Sequence, residues 1–268
     1  MKRNALGLAL SAAVMVLALA ASAGAVDGTI EINQAKVLAN GGFPYLISTP
    51  YTSYRLTGSL SVPASTNGIN VNAGNVTIDL NGFSITGPGG SSGFYDGIDA
   101  SGQSDITVEN GTLTGFGTGV EAGSFGIVRN VHADANGGGI VAGSNSVIEG
   151  CTANNSTATG KDGIYCTGGC AISGNTANGN PFIGIACVGS GCVISGNTTS
   201  SNTTGGINCG GSGCLISGNT VLNNGTGISA VDATSGYGGN VLNGNSTNVF
   251  EGTSLGAKNT NLCNGTAC

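Results

Sequence analysis

The residues of this chain that are best suited to acid–base chemistry are Asp96, Asp99 and Glu121. Asp99 directly follows a Gly-Ile pair and Glu121 directly follows a Gly-Val pair. If both pairs belong to stacked strands, the two carboxylates lie about 5 Å apart, with Asp96 in the turn just before. Like charges this close raise one pKa or attract a cation, which suits a general acid and base or a Ca²⁺ site. We therefore treat all three as candidate catalytic residues and Ca²⁺ as a candidate cofactor, with a solvated acidic surface as the alternative.

A second group of residues offers polar and basic side chains that could contact a ligand. These candidate substrate-binding residues are Arg129, His132, Lys161 and Tyr165. Arg129 lies one repeat from Glu109 and one from Glu149, so a stacked ion-pair ladder is the structural alternative to a sugar-binding strip. His132 precedes Asp134 by two residues, and a His base beside an acid is a catalytic pair. The sequence places no Ser or Cys nucleophile near that pair.

An internal repeat determines which of these side chains lie close together in the folded chain. The segments CAISGNTANGN (170–180), CVISGNTTSSN (192–202) and CLISGNTVLNN (214–224) recur every 22 residues. A Gly followed by Ile or Val marks each unit between residues 68 and 228, at spacings of 20 to 29 residues. Each unit contains three short strand patterns, and stacking at about 4.8 Å buries one continuous core. The sequence predicts an all-β, single-stranded parallel β-helix of about eight coils of 20–24 residues. A leucine-rich repeat is the alternative, but its leucine framework is missing.

The composition excludes several classes of protein. The chain has 268 residues, of which 51 are Gly, and only 20 are charged, 7 basic and 13 acidic. Gly at this level disfavours helix interiors, and it does not recur at every third position as it does in collagen. Without Lys2 and Arg3, 5 basic and 13 acidic residues remain, a balance of −8. Nucleic-acid binding needs a basic surface, so we exclude DNA and RNA as partners.

The same patterns divide the chain into four segments. We predict a signal peptide at 1–25, an N-terminal cap at 26–67, the β-helix repeats at 68–250 and a C-terminal cap at 251–268. Lys2 and Arg3 precede an apolar stretch and then small residues, which is typical of a secretory signal, and a short membrane anchor is the alternative. No later segment is apolar enough to span a membrane. We expect a secreted, periplasmic or cell-surface protein, whose oligomeric state the sequence leaves open.

The cysteines indicate a set of disulfides. All nine lie at or after residue 151, and six form pairs that flank one turn of three successive repeats. Earlier repeats lack Cys at both positions, so we predict a disulfide within each repeat; bonds between repeats and a zinc site are the alternatives. A last pair would close the C-terminal cap, and Cys151 would remain as a buried free thiol. The predicted pairs are Cys166–Cys170, Cys187–Cys192, Cys209–Cys214 and Cys263–Cys268.

The coils, the Gly-Asn bend at Asn175, Asn197 and Asn219 and the stretch NVTIDLNGFSI (75–85) carry a resemblance to a known group. The chain resembles secreted bacterial right-handed parallel β-helix repeat proteins, which share their architecture with pectate lyases, polygalacturonases and alginate epimerases. The resemblance covers residues 44–268 and implies a right-handed coil, with a ligand groove along one strand face and its adjoining loops. The chain lacks the Asn-Thr-Asp and Gly-His-Gly pair of polygalacturonases, the Asp-Pro-His-Glu of alginate epimerases and the Arg-x-Pro of pectate lyases.

These observations leave three functional hypotheses. Because outward positions are rich in Asn, Ser and Thr and the catalytic motifs are missing, we expect binding of an extracellular or cell-surface polysaccharide without catalysis. The first alternative is a polysaccharide lyase, hydrolase or epimerase that uses the outward carboxylates. The second alternative is a structural or adhesive rod, because a fold of this kind does not by itself imply an activity.

Overall fold

The computed structural model describes residues 28–89, 94–230, 232, 234–251 and 261–267, so the predicted signal peptide lies outside the described residues. Within them the chain consists mainly of short strands. The helix α1 (Gln34–Ala39) begins after Asn33, whose side chain accepts a hydrogen bond from the Lys36 backbone N–H at 3.0 Å. This N-cap satisfies one of the donors that a helix start leaves free. None of the described helices has the length and apolar character that crossing a membrane requires.

The strands are three to nine residues long, apart from three two-residue strands near the two ends of the described chain. The first thirteen are β1 (Ile30–Ile32), β2 (Tyr45–Ile47), β3 (Thr52–Leu56), β4 (Leu60–Ser61), β5 (Ile69–Val71), β6 (Val76–Asp79), β7 (Ser84–Thr86), β8 (Asp96–Ser104), β9 (Ile106–Thr114), β10 (Thr118–Ser124), β11 (Ile127–His132), β12 (Gly138–Ala142) and β13 (Val147–Glu149). The others are β14 (Ile164–Cys166), β15 (Ala171–Ser173), β16 (Thr176–Asn178), β17 (Ile183–Cys187), β18 (Val193–Ser195), β19 (Thr198–Ser200), β20 (Gly205–Cys209), β21 (Leu215–Ser217), β22 (Thr220–Leu222), β23 (Thr226–Ala230), β24 (Gly236–Gly238), β25 (Val241–Asn243), β26 (Thr247–Glu251), β27 (Leu262–Cys263) and β28 (Thr266–Ala267).

Among the described residues, these strands form three sheets that run along one solenoid. The first sheet has the order β1-β3-β6-β9-β11-β13-β15-β18-β21-β24, with β4 and β7 attached. The second sheet has the order β2-β5-β8-β10-β12-β14-β17-β20-β23-β26, and the third has the order β16-β19-β22-β25-β27-β28. The described pairs are parallel except β27–β28, which is antiparallel at the C-terminal end. The protein is therefore an all-β parallel β-solenoid, as the repeat predicts.

The solenoid has about ten coils, because the second sheet contains ten strands among the described residues. The predicted number of eight was too low, since the Gly-Ile marker ends one coil early on each side. The residues equivalent to Gly68-Ile69 are Pro44-Tyr45 one coil earlier. After the last marked coil, the equivalent of Ile228 is Val249, which follows Asn rather than Gly. Strands β1 to β4 thus join the sheets from within the segment 26–67.

Alternation along each strand separates the core from the surface. Ile164, Ile172 and Ala177 are fully buried, and the residues beside them in the same strands are partly exposed. The inward residues stack in register from coil to coil, as in the column Ile164, Ile185, Ile207 and Ile228. Burying one such side chain stabilises the fold by about 1.5–3 kcal/mol. Since one coil has few of them, stability depends on stacking of neighbouring coils.

Two ladders of buried Asn side chains connect the coils inside the bends. One contains Asn175, Asn197, Asn219, Asn240 and Asn261, and the other contains Asn180, Asn202, Asn224 and Asn245. Except at the ladder ends, Asn245 and Asn261, each amide donates from Nδ2 to the Oδ1 of the residue one coil further, at 2.9–3.1 Å. The same Nδ2 also donates to a backbone carbonyl of the preceding coil, for example from Asn197 to Ile172 at 2.9 Å. These bonds satisfy polar groups that burial would otherwise penalise.

Three disulfides lie within single coils, as the Cys spacing predicts. They join Cys166 to Cys170, Cys187 to Cys192, and Cys209 to Cys214, each with a Cα–Cα distance of 6.6 Å. Cys263 is also disulfide-bonded, and Cys268, its predicted partner, lies outside the described residues. Cys151 is buried and free. Disulfides of this kind are typical of oxidising compartments outside the cytosol.

Candidate functional site

The outward face of the second sheet brings the three predicted carboxylates together. Asp99 in β8 lies in register with Glu121 in β10, and Asp96 begins β8. One carboxylate oxygen of each residue lies within 4.8 Å of the others. The parallel, in-register stacking of the coils is the cause, because residues at equivalent positions become neighbours at the strand spacing. We call these three residues the carboxylate cluster.

Hydrogen bonds fix the orientation of Asp99 within the carboxylate cluster. Asn67, in the preceding coil, donates from Nδ2 to Asp99 Oδ2 at 3.2 Å and accepts from the Asp96 backbone N–H at 2.8 Å. Ser101 donates to Asp99 Oδ1 from its backbone N–H at 3.0 Å and from its hydroxyl at 2.7 Å. Asn67 was not among the residues predicted from the sequence. Its position one coil before Asp96 is the signal that could have found it.

Burial and mutual repulsion raise the pKa of two members of the cluster. Burial raises the pKa of Asp96 to about 6; the charges of Glu121 and Asp99 also raise it, against hydrogen bonds from Thr118. Burial likewise raises the pKa of Glu121, with a further rise from Asp99 and an opposing effect of Lys161. A carboxyl group with a pKa near 6 is poised to exchange a proton close to neutral pH. The cluster can therefore offer both a proton donor and a hydrogen-bond acceptor.

Lys161 and Tyr165, both predicted from the sequence, lie on the same side of the solenoid. The Lys161 stem runs beside Gly138, where an added Cβ would lie 3.4 Å from the Lys161 Cβ. Tyr165 is an outward residue of β14, in register with Val141 of β12. The neighbouring Asp162 accepts a hydrogen bond from the Ile183 N–H at 3.3 Å, and burial raises its pKa to about 6.

An open groove of about 420 Å³ adjoins the cluster and crosses four successive coils. One wall is the bulge of β8, where the register between β8 and β10 shifts between Ala122 and Ser124. At Gly123 and Gly143, which line the groove, a Cβ would collide with backbone atoms of the preceding coil. Glu121 belongs to both the cluster and the groove. The lining residues are 101–104, 121–124, 141–143 and Thr167.

Two exposed aromatic residues stand at the other side of the cluster. Phe94 is 86% exposed and Tyr95 is 37% exposed, and both directly precede Asp96. The Tyr95 carbonyl accepts a hydrogen bond from the Gly117 N–H at 2.7 Å, which ties this turn to the next coil. Neither residue was among those predicted from the sequence. Two consecutive aromatic residues immediately before an acidic strand are the sequence feature that could have identified them.

Arg129 and His132 lie on the first sheet, in β11, and so apart from the carboxylate cluster. Arg129 is ion-paired with Glu109 one coil earlier, and Glu149 is its register neighbour one coil later. His132 Nδ1 lies 3.0 Å from the Thr152 hydroxyl, which donates to the Asp134 carboxylate at 3.0 Å. The structure thus places Lys161 and Tyr165 on the side of the solenoid that carries the cluster, with Tyr165 two coils from Glu121, and places Arg129 and His132 on the first sheet.

Two groups of side chains lie close enough together to be considered as cation sites, and their ligand atoms determine which cation each could hold. The three carboxylates offer the hard oxygen ligands that Ca²⁺ prefers. Sulfur atoms of Cys166, Cys170 and Cys192 also lie within 4.8 Å of one another, but all three belong to disulfides. Thiolates, rather than disulfide sulfurs, are the ligands of zinc. The carboxylate cluster is therefore the stronger of the two candidates for a cation.

Comparison with protein-family models, curated proteins and solved structures finds no match to this chain. The class of protein is consequently defined by its own fold and site. It is a parallel β-solenoid with disulfides inside its coils, and one sheet face carries an acidic cluster beside an open groove.

Proposed function

We propose that this protein is exported and binds an extracellular or cell-surface polysaccharide, without catalysis, on the outward face of its second sheet. The observation that carries the proposal is the groove of about 420 Å³, which runs across four coils beside the carboxylate cluster. A groove along the solenoid axis suits a long, extended ligand better than a compact one. Binding sites of this size fix their ligands through a few well-placed polar groups.

The chemistry of the surface supports a sugar ligand. Glu121, Gln103 and the Ser101 hydroxyl offer hydrogen-bond acceptors and donors to vicinal hydroxyl groups. Phe94 and Tyr95 offer apolar ring faces on which the C–H groups of a sugar ring can pack. The disulfides and the resemblance to secreted parallel β-helix proteins of pectate-lyase-like architecture support a secreted, periplasmic or cell-surface location.

A second candidate function is a polysaccharide lyase, hydrolase or epimerase that uses Asp96, Asp99 and Glu121. The specific observation in its favour is a cluster of three carboxylates in which the pKa of Asp96 is raised to about 6. Groups with perturbed pKa values often mark sites of acid–base chemistry. A purely structural or adhesive rod is the third candidate, supported by the two Asn ladders that hold the coils together.

The test is a binding assay on the oxidised mature protein with neutral and uronate polysaccharides, with and without Ca²⁺. Mass spectrometry of the same samples reads bound polymer and released fragments. We expect binding without fragments, a loss of affinity in Glu121→Gln and none in Glu149→Gln, whose exposed carboxylate lies on the first sheet. Fragments that disappear in Asp99→Ala would support the enzyme instead. No bound polymer and no fragments would support the rod.

A further inference from the structure

The charged residues of this chain are unevenly distributed along the solenoid. Residues 163–231 contain no Asp, Glu, Lys, Arg or His. Residues 163–230 of this stretch form the coils that begin at β14, β17 and β20 and the strand β23 of the next coil. Charged residues normally make up about a quarter of a soluble domain, so three consecutive coils without any are unusual. The next coil contains Asp232, in the turn after β23. The carboxylate cluster and Lys161 lie immediately N-terminal to this stretch.

The uncharged stretch continues the surface of the groove. Tyr165, Asn208 and Ser229 are outward residues of the second sheet and extend the column that contains Glu121 and Val141. The adjoining turn presents Thr167, Val188 and Gly210, and Val188 is 43% exposed. Because Thr167 lines the groove, the two surfaces meet there. We call these six residues the uncharged track.

Charge decides which polysaccharide can lie along this surface. A polyuronate would bring carboxylates beside Asp96, Asp99 and Glu121, where burial and then the neighbouring like charges already raise the pKa of Asp96 and Glu121. Lys161 offers one positive charge there, and the uncharged track offers none. An amino-sugar polymer would find acids at the cluster but no partner along the track. An uncharged chain meets neither repulsion nor unmatched charge over the whole length.

We propose that the ligand is an uncharged polysaccharide that lies lengthwise, from the groove onto the uncharged track. This inference rests on the proposed binding function and names the class of polysaccharide. Contact with an uncharged chain makes the affinity insensitive to salt, because no ion pairs are screened. Repulsion at the cluster makes the affinity for an anionic chain lower by about tenfold or more at low salt.

The test uses pairs of polymers with the same backbone and different charge. Soluble starch, galactomannan and mixed-linkage β-glucan are each compared with the form oxidised at C6 to the uronate, by calorimetric titration at low and high salt. We expect at least one neutral polymer to bind, with salt-independent affinity and with about tenfold or greater preference over its oxidised form. Equal or tighter binding of the oxidised form would overturn the inference and leave the binding function standing. No binding by any polymer would overturn both.

A matched pair of variants tests the position of the track. Asn208→Lys adds a cation to the track, whereas Ser217→Lys adds one to the first sheet in the same coil. We expect Asn208→Lys to shift the ratio of affinities toward the oxidised polymer by about two- to fivefold. We expect Ser217→Lys to leave that ratio unchanged. The same shift in both variants, or in neither, would overturn the placement of the ligand on the uncharged track.

Discussion

Replacement of Asn197 by Ala removes an interior member of the first Asn ladder. The Asn197 Oδ1 accepts hydrogen bonds from the backbone N–H of Asn175 at 2.9 Å and from its Nδ2 at 3.0 Å. The Asn197 Nδ2 donates to the Ile172 carbonyl at 2.9 Å. Its backbone N–H donates to the Asn219 Oδ1, and this bond survives in the variant. Asn175 Nδ2 keeps its bond to the Ile148 carbonyl at 2.9 Å, so the substitution removes the side-chain partner of two buried groups, the Asn175 N–H and the Ile172 carbonyl.

The expected loss of unfolding free energy in Asn197→Ala follows from the number of buried polar groups that lose a partner. An unsatisfied buried donor or acceptor costs about 1–3 kcal/mol, so two of them cost about 2–6 kcal/mol. A water molecule that enters the vacated space can bond the freed groups and reduce the cost to the lower end of the range. It can enter only if that space is large enough and polar. A loss at the upper end of this range is comparable with the whole stability of many domains, about 5–15 kcal/mol. We therefore expect Asn197→Ala to unfold at a much lower urea concentration than the parent protein.

The assay is urea denaturation followed by far-ultraviolet circular dichroism, with Asn208→Ala as the matched control. Asn208 is an outward residue of β20, and its loss should change stability by less than about 0.5 kcal/mol. The account requires a large difference between the two variants. If both unfold at the same urea concentration, the ladder does not stabilise the coils in the way the hydrogen bonds indicate.

Further predictions concern the core, the acidic groups and the thiols. Thr199→Val should stabilise the fold by about 1–2 kcal/mol in the same urea assay, because the buried Thr199 Oγ1 has no partner among the described residues and Val221 fills the equivalent core position. An unchanged midpoint would contradict this. The pKa of Asp96 and of Asp162 is raised from 3.8 to about 6, so the folded protein binds more protons than the unfolded chain, and these groups should lower stability as the pH rises from about 4 to about 6. The double variant Asp96→Asn/Asp162→Asn should lose that part of the pH dependence, and an unaltered profile would refute the assignment. Burial raises the pKa of the Cys151 thiol to about 11, so a thiol reagent should find no reactive group in the native protein and one in denaturant. More than one in denaturant would contradict the disulfide pairing.

Much of the fold could be predicted because the sequence pattern that produces it is periodic. The recurrence of Gly-Ile pairs and of the Gly-Asn bend fixes which residues point inward, and in-register stacking then makes Asp99 and Glu121 neighbours. The number of coils was predicted too low for the same reason, since Tyr45 and Val249 occupy the marker position in a different local sequence. A search for the Gly-Ile marker therefore finds only the coils in which those residues are present.

The parts of the site that sequence reasoning missed are not periodic. The bulge at Gly102 and Gln103 breaks the register of one strand and forms a wall of the groove. Phe94 and Tyr95 lie in a turn whose two aromatic residues do not recur in the other described coils. Arg129 and His132 were predicted as ligand-binding residues from their type, and the structure places their strand on the first sheet, apart from the carboxylate cluster. The bends between strands determine which sheet each strand joins, and therefore which side chains share a face.

The central claim is that a polysaccharide binds the outward face of the second sheet, and hydroxyl-radical footprinting tests it most directly. The measurement compares side-chain oxidation in the free protein and in the protein saturated with the polysaccharide that binds. Tyr95 and Tyr165 report on that face, and Tyr51, which is 82% exposed beside the first sheet, is the internal control. The account predicts that binding protects Tyr95 and Tyr165 and leaves Tyr51 unchanged. Saturation without protection of Tyr95 and Tyr165 would contradict it.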